Sequence, residues 1–167
     1  HFQPDVQSGD FQFAIVADRT GSHRPGVFPR AIRKLDLLKP EFVISVGDLI
    51  EGYTDEVVEI EKQWDEFSEF LKPLTAPFVF VPGNHDFSNE TMAKIWKNRL
   101  GDAYFAFQYR DVLFLCLNSE ASFPSTSRDP TLSQEQLDYF RAIIDGAQDV
   151  RWVLVFIHRP IWLQEQS

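Results

Sequence analysis

Six side chains in four separated places have the types needed to hold a metal or move a proton. They are Asp18, Asp48 in Gly47-Asp48, the run Gly83-Asn84-His85-Asp86, and His158. A turn needs Gly and Asn but has no use for His-Asp, and a given four-residue string arises by chance about once in 10⁵ positions. Three carboxylates brought together repel and cannot all stay ionised without a cation. A divalent pair resolves this: two ions about 3.5–4 Å apart share one carboxylate, each bind a phosphate oxygen, and activate a water between them. The donors are carboxylate, amide and imidazole, with no thiolate. That mix suits Mn²⁺, Fe, Zn²⁺ or Mg²⁺ and leaves the choice among them open. Gly47 and Gly83 let the backbone turn sharply where the side chains converge.

Each of the four places follows an apolar run that reads as a strand. Residues 11–17, 42–46, 77–81 and 151–157 end just before Asp18, Gly47-Asp48, Pro82-Gly83-Asn84-His85-Asp86 and His158. Between them lie helical patterns. Phe28, Ala31, Ile32, Leu35 and Leu38 share one stripe, stopped by Pro40; Val57, Ile60, Trp64, Phe67 and Leu71 share another, with Thr54 as N-cap. Met92, Ile95, Trp96 and Leu100 predict a third helix closed by Gly101. The sequon Asn89-Glu90-Thr91 reads as the start of that helix rather than a glycosylation site. Residues 104–109 and 112–117 predict a hairpin across Arg110-Asp111. A polar loop over 118–130 follows, then a capping box from Ser133 to Gln136 opening a helix through Leu137, Phe140 and Ile144. Strands alternating with amphipathic helices predict an α/β fold with a largely parallel sheet. Ligands in such sheets bind beyond the carboxyl ends of the strands, so the four segments are expected to deliver their side chains to one edge of one sheet.

The 167 residues predict a single domain over 1–167. A net charge of -9 argues against broad binding to nucleic-acid backbone or anionic membrane, but a metal reverses the local sign for a phosphate substrate. The single cysteine, Cys116, excludes an intrachain disulfide and a cysteine-based zinc site. No apolar run approaches the ~18 residues of a membrane span, and nothing before the strand at 11–17 reads as a signal peptide. The expectation is a soluble protein whose compartment and oligomeric state the sequence leaves open.

The order Asp, Gly-Asp, Gly-Asn-His-Asp, His resembles that of the calcineurin-like metallophosphoesterases, from Phe11 to His158. The resemblance implies an αββα sandwich of two mixed sheets flanked by helices, and hydrolysis of phosphomonoesters or phosphodiesters. It implies two divalent ions (Mn, Fe or Zn), with Asp48 bridging them, Asp18 on the first, and Asn84 and His158 on the second. A bridging hydroxide attacks phosphorus in line; His85 protonates the leaving oxygen, and Asp86 holds the His85 ring. The implied partner is a phosphorylated small molecule or nucleotide.

Two departures from the family pattern stand out. Its first motif reads Asp-x-His, but here it is Asp18-Arg19-Thr20. Thr20 is one candidate for the replaced ligand. Glu51 is another, three residues past Asp48, where the purple acid phosphatases place a metal-binding Tyr. Arg19 is a candidate phosphate contact, as are Arg24 and Arg128, and His23 and Tyr53 are candidates to line the cleft. The loops 21–26 and 119–130 are expected to shape the pocket. The second departure is that no Gly-His-x-His follows His158 before Ser167. The expectation is an N-terminal part of a longer phosphoesterase domain. The alternatives are a non-catalytic binding scaffold on the same fold, an inactive fragment, and another metal-dependent hydrolase. Retention of His85-Asp86 argues for the enzyme, since a scaffold needs neither.

Overall fold

The computed structural model describes residues 10–22, 24–120 and 131–161. His23, Arg128, most of the loop 119–130 and the last residues before Ser167 lie outside them. In order, the elements are β1 (Ala14–Val16), α1 (Val27–Leu38), β2 (Val43–Ser45), α2 (Val57–Leu71), β3 (Phe78–Val79), α3 (Glu90–Leu100), β4 (Phe105–Tyr109), β5 (Val112–Cys116), α4 (Gln134–Gly146) and β6 (Trp152–Phe156). Each predicted strand and helix is present.

The strands form two sheets. The first runs β1-β2-β3 and is parallel throughout; the second runs β4-β5-β6, with β4 antiparallel and β6 parallel to β5. Only the second is mixed. Alternation along the strands sets the layering. Phe42 and Ile44 of the β2 segment pack with Phe114 and Cys116 of β5 and Phe156 of β6, filling the space between the sheets. On the outer side of the first sheet, Ile60, Trp64, Phe67, Met92, Ile95 and Trp96 of α2 and α3 gather with Phe78 and Phe80. On the outer side of the second, Leu113 and Leu115 meet Phe140 of α4. The result is helix, sheet, sheet, helix. It explains why β5 is buried at every position: it carries cover on both faces.

Helix starts differ in detail from expectation. Asn89 caps α3, its side chain accepting from the Met92 amide at 2.9 Å. Helix α2 begins at Val57 with Glu56 at its N-cap, and the Thr54 hydroxyl, two residues earlier, accepts from the Glu56 amide rather than from the first turn. Ser133 caps α4 by accepting from the Gln136 amide at 3.2 Å. Its reciprocal half is missing: the buried Gln136 amide instead accepts from the Asn118 N–H at 2.8 Å and donates to the Asn118 carbonyl at 3.0 Å. That exchange satisfies a buried side chain and ties the exit of β5 to α4.

The candidate residues are not on one sheet. Asp18, Asp48 and the 83–86 turn follow β1, β2 and β3, but His158 follows β6, which pairs with β5 in the second sheet. Stacking of the two sheets brings the end of β6 beside the end of β2, so the site forms across both layers.

Candidate metal centre

The β1 and β2 pairing continues past the strands: Val46 N–H donates to the Val16 carbonyl at 2.9 Å, Asp18 N–H to Gly47 at 3.2 Å and Thr20 N–H to Asp48 at 3.2 Å. Asp18 and Asp48 both have left-handed backbones, at φ 48° and 57°, which non-glycine residues seldom adopt. The bend turns their carboxylates inward from adjacent strand ends. Closeness here also dictates the glycines. A Cβ on Gly47 would lie 2.6 Å from Gly83 Cα and 2.7 Å from His158 Nδ1, and one on Gly83 would lie 2.4 Å from Asp48 Oδ1.

Ligand atoms of Asp18, Asp48 and His158 all lie within 4.8 Å of one another. His158 Nδ1 sits 2.7 Å from the Val46 carbonyl, so it carries the proton and donates there. Nε2 then presents a lone pair, yet it faces Asn84 Oδ1 at 3.0 Å and Asp48 Oδ1 at 3.4 Å. Acceptors pointing at one place repel unless a cation or an added proton lies among them. Carboxylate, amide and imidazole donors converging in this way fit a divalent ion. The Thr20 hydroxyl is buried without a hydrogen-bond partner among the described residues, and its amide is tethered to the Asp48 carbonyl. The carboxylate of Glu51 is not in the cluster.

His85 lies beside these atoms. Its amide donates to Asp48 Oδ1 at 3.0 Å, and Nε2 is 3.9 Å from Asp48 Oδ2. Its ring is not held by Asp86. Nδ1 donates to the backbone carbonyl of Glu51 at 2.6 Å, which leaves Nε2 directed into the site. Asp86 is fully buried, and its carboxylate accepts instead from the amides of Leu49 (2.8 Å), Ile50 (3.1 Å) and Gly83 (2.9 Å). Burial pushes its carboxyl up to about 6, against the pull of those three amides. Asp86 therefore fastens the loop after β2 to the turn after β3. It shapes the site through these backbone contacts.

Arg19 has partners of its own on the loop after β2 and on α2. Its guanidinium donates to the Leu49 carbonyl at 2.9 Å and to Glu66 of α2 at 2.6 Å, and lies 4.9 Å over the Phe70 ring. Its side chain is 7% exposed, so it acts as a buried strut between the first loop and α2. Tyr53 does line the cleft: its hydroxyl accepts from Asn84 Nδ2 at 2.7 Å, and its ring stands edge-on to that of His85. Arg24 lines a groove with Asp18, Arg19 and Glu66.

Sequence reasoning missed Arg159 and Glu120. Arg159 Nε donates to Asn84 Oδ1 at 3.2 Å, and its guanidinium pairs with Glu120 at 3.1 Å. Its place next to His158 was the available signal. The carbonyls of Val46 and Glu51 left no signal, since a backbone acceptor has no residue type.

Comparison with known proteins follows the same lines. A family model described as calcineurin-like phosphoesterase matches residues 6–167. The chain is 36% identical over 143 residues to the serine/threonine-protein phosphatase CPPED1 of Bos taurus, covering 81% of this chain and 44% of that protein. It is 24% identical to the 3',5'-cyclic adenosine monophosphate phosphodiesterase CpdA of Haemophilus influenzae, over 90% of this chain and 54% of that one. The chain thus spans about half the length of these relatives. Its fold matches the crystal structure of a dimetal phosphatase from Danio rerio at a TM-score of 0.68 and 16% identity, over 90% of this chain and 70% of that one. The sequence order of its metal-type side chains, the stacked sheets that assemble them and the match over nearly its whole length place this chain in the calcineurin-like phosphoesterase family.

Proposed function

We propose that this chain carries the metal-binding part of an enzyme that hydrolyses phosphate esters, with Asp18, Asp48, Asn84 and His158 as ligands of two divalent ions. The observation that carries the reading is the convergence of His158 Nε2 with oxygens of Asn84 and Asp48 at 3.0 and 3.4 Å. Asp48 would be the ligand common to both ions, since its carboxylate lies within 4.8 Å of the ligand atoms of both Asp18 and His158. The Thr20 hydroxyl, buried and unsatisfied, is a further donor for the Asp18 side. Bound divalent ions of this class polarise phosphate oxygens and lower the pKa of a water. His85 is the general acid from its doubly protonated form: Nδ1–H is held by the Glu51 carbonyl, and the second proton, on Nε2, passes to the leaving oxygen and leaves the neutral Nδ1–H imidazole. Both phosphomonoesters and phosphodiesters fit this machinery, and the names of the relatives include both kinds.

The leaving group tests the role of His85. A basic alkoxide needs a proton, whereas p-nitrophenolate leaves well without one. In the protein that contains this chain, His85→Ala is expected to lose about 10²- to 10⁴-fold in kcat on alkyl phosphate esters and far less on p-nitrophenyl esters. Equal losses on both would remove His85 as the acid. Asn84→Ala is expected to weaken Mn²⁺ binding at least tenfold by direct titration; unchanged binding would remove the ligand set.

A further inference from the structure

Resting on that ligand set, we propose that Tyr53 is a positioning residue that holds Asn84 and His85 in register from a single side chain. The residue before it makes this possible. A Cβ on Gly52 would lie 1.7 Å from the His85 carbonyl, so the loop after β2 lies directly on the turn after β3. The Gly52 amide donates to Gln63 of α2 at 2.9 Å, which anchors the loop from its other side. The chain then turns through Tyr53 with a left-handed backbone, φ 52°. This conformation is costly for a tyrosine and persists only where its surroundings fix it.

The strained turn aims the side chain across the site. The Tyr53 hydroxyl meets Asn84 Nδ2 at 2.7 Å, and the ring centroid is 4.6 Å from that of His85 at 69°, an edge-on packing. At the other end of the carboxamide, Arg159 Nε donates to Oδ1 at 3.2 Å. A guanidinium has only donors, so it fixes the oxygen as the end that faces it. Tyr53 accepts from the amide nitrogen and holds the opposite end. Asn84 is thereby gripped at both ends with Oδ1 aimed at His158 Nε2. A tyrosine that is 60% exposed contributes little to the core, so these two contacts are what its geometry serves. The β2 loop therefore supplies the Asp48 carboxylate, the Glu51 carbonyl on His85 Nδ1 and the Tyr53 side chain, all from six consecutive residues.

Two variants separate the hydroxyl from the ring. Tyr53→Phe keeps the ring and removes the hydroxyl; Tyr53→Leu removes both. Mn²⁺ affinity is read by titration, and the His85 imidazole by its ¹⁵N resonances, which report the tautomer. Tyr53→Phe is expected to weaken Mn²⁺ affinity about tenfold, in the range seen when groups that orient metal ligands are removed, with the His85 tautomer unchanged. Tyr53→Leu is expected to weaken the metal equally and also to lose the fixed Nδ1–H tautomer of His85. The metal-free melting temperature should stay the same for Tyr53→Phe. If Tyr53→Phe binds Mn²⁺ as tightly as the parent while Asn84→Ala binds it weakly, the positioning role falls and the ligand set stands. If Asn84→Ala also binds normally, both fall together. An unchanged His85 spectrum in Tyr53→Leu overturns the half of the proposal that concerns His85.

Discussion

At the scale of single residues, chemistry depends on which neighbours a side chain meets. Asp86 shows this. It was expected at the His85 ring, yet it collects three backbone amides and is fully buried. Its carboxyl is raised to about 6 from an ordinary value of 3.8, chiefly by burial. The sign follows from linkage: the fold favours the protonated acid, so its contribution is complete below about 3.8 and is lost as pH rises through about 6. The loss is on the order of 3 kcal/mol in the metal-free chain. Asp86→Asn cannot ionise. Urea denaturation of metal-free protein should therefore show the stability difference moving toward the variant between pH 4 and 6.5. A difference that stays flat across that window would refute the account. Asp86, His85 and Asp48 were legible as a cluster because their types are rare together after a strand. Their division of labour was not, because it rests on amides that every residue carries.

At the scale of elements, the helical stripes were read correctly, while of the N-caps Asn89 and Ser133 hold and Thr54 does not. The Trp64–Trp96 pair between α2 and α3, with ring centroids 5.6 Å apart, follows from the helical spacing of each. Contacts that tie an element's end to a distant loop were not readable. At the end of α1, Asp36 accepts from the Thr75 amide at 2.9 Å and the Thr75 hydroxyl at 2.6 Å, holding the α2–β3 connection against α1. The Thr75 hydroxyl bond is the main cause that lowers the Asp36 carboxyl to about 2. A lowered carboxyl contributes stability above its unfolded value and loses it as pH falls through the folded one. Stability is expected to decline between pH 4 and 2, with Asp36→Asn removing that part of the decline. A variant with the parent's acid profile would show that the contact is not formed in solution.

At the scale of the whole molecule, the site exists because two sheets are stacked. Phe114 of β5 lies at the centre of the layer between them, with its ring 4.8 Å from that of Phe107, 5.3 Å from those of Phe13 and Phe42, and 6.0 Å from that of Phe156. Phe114→Ala should cost about 3–5 kcal/mol by thermal or urea unfolding. It should also weaken Mn²⁺ binding although Phe114 is not a ligand, because His158 reaches Asp48 only across this layer. Destabilisation with unchanged metal affinity would mean that the sheets hold their spacing without it.

Composition, strand and helix periodicity, the turn glycines and the order of the metal-type residues were fixed by the sequence itself, because each is local. A strand alternates and a helix repeats within a few residues, and Gly47 and Gly83 mark the ends of two of the strands. Tertiary structure alone decided that β6 joins the second sheet and that Arg19 is a strut. It alone decided that the Glu51 carbonyl, not Asp86, orients His85, and that Tyr53 and Arg159 grip Asn84. The bond from His158 to Val46 spans 112 residues, and that from Asn84 to Tyr53 spans 31. Partners at such separations are chosen by how whole layers pack, and the spacing of residues along the chain carries no trace of that choice.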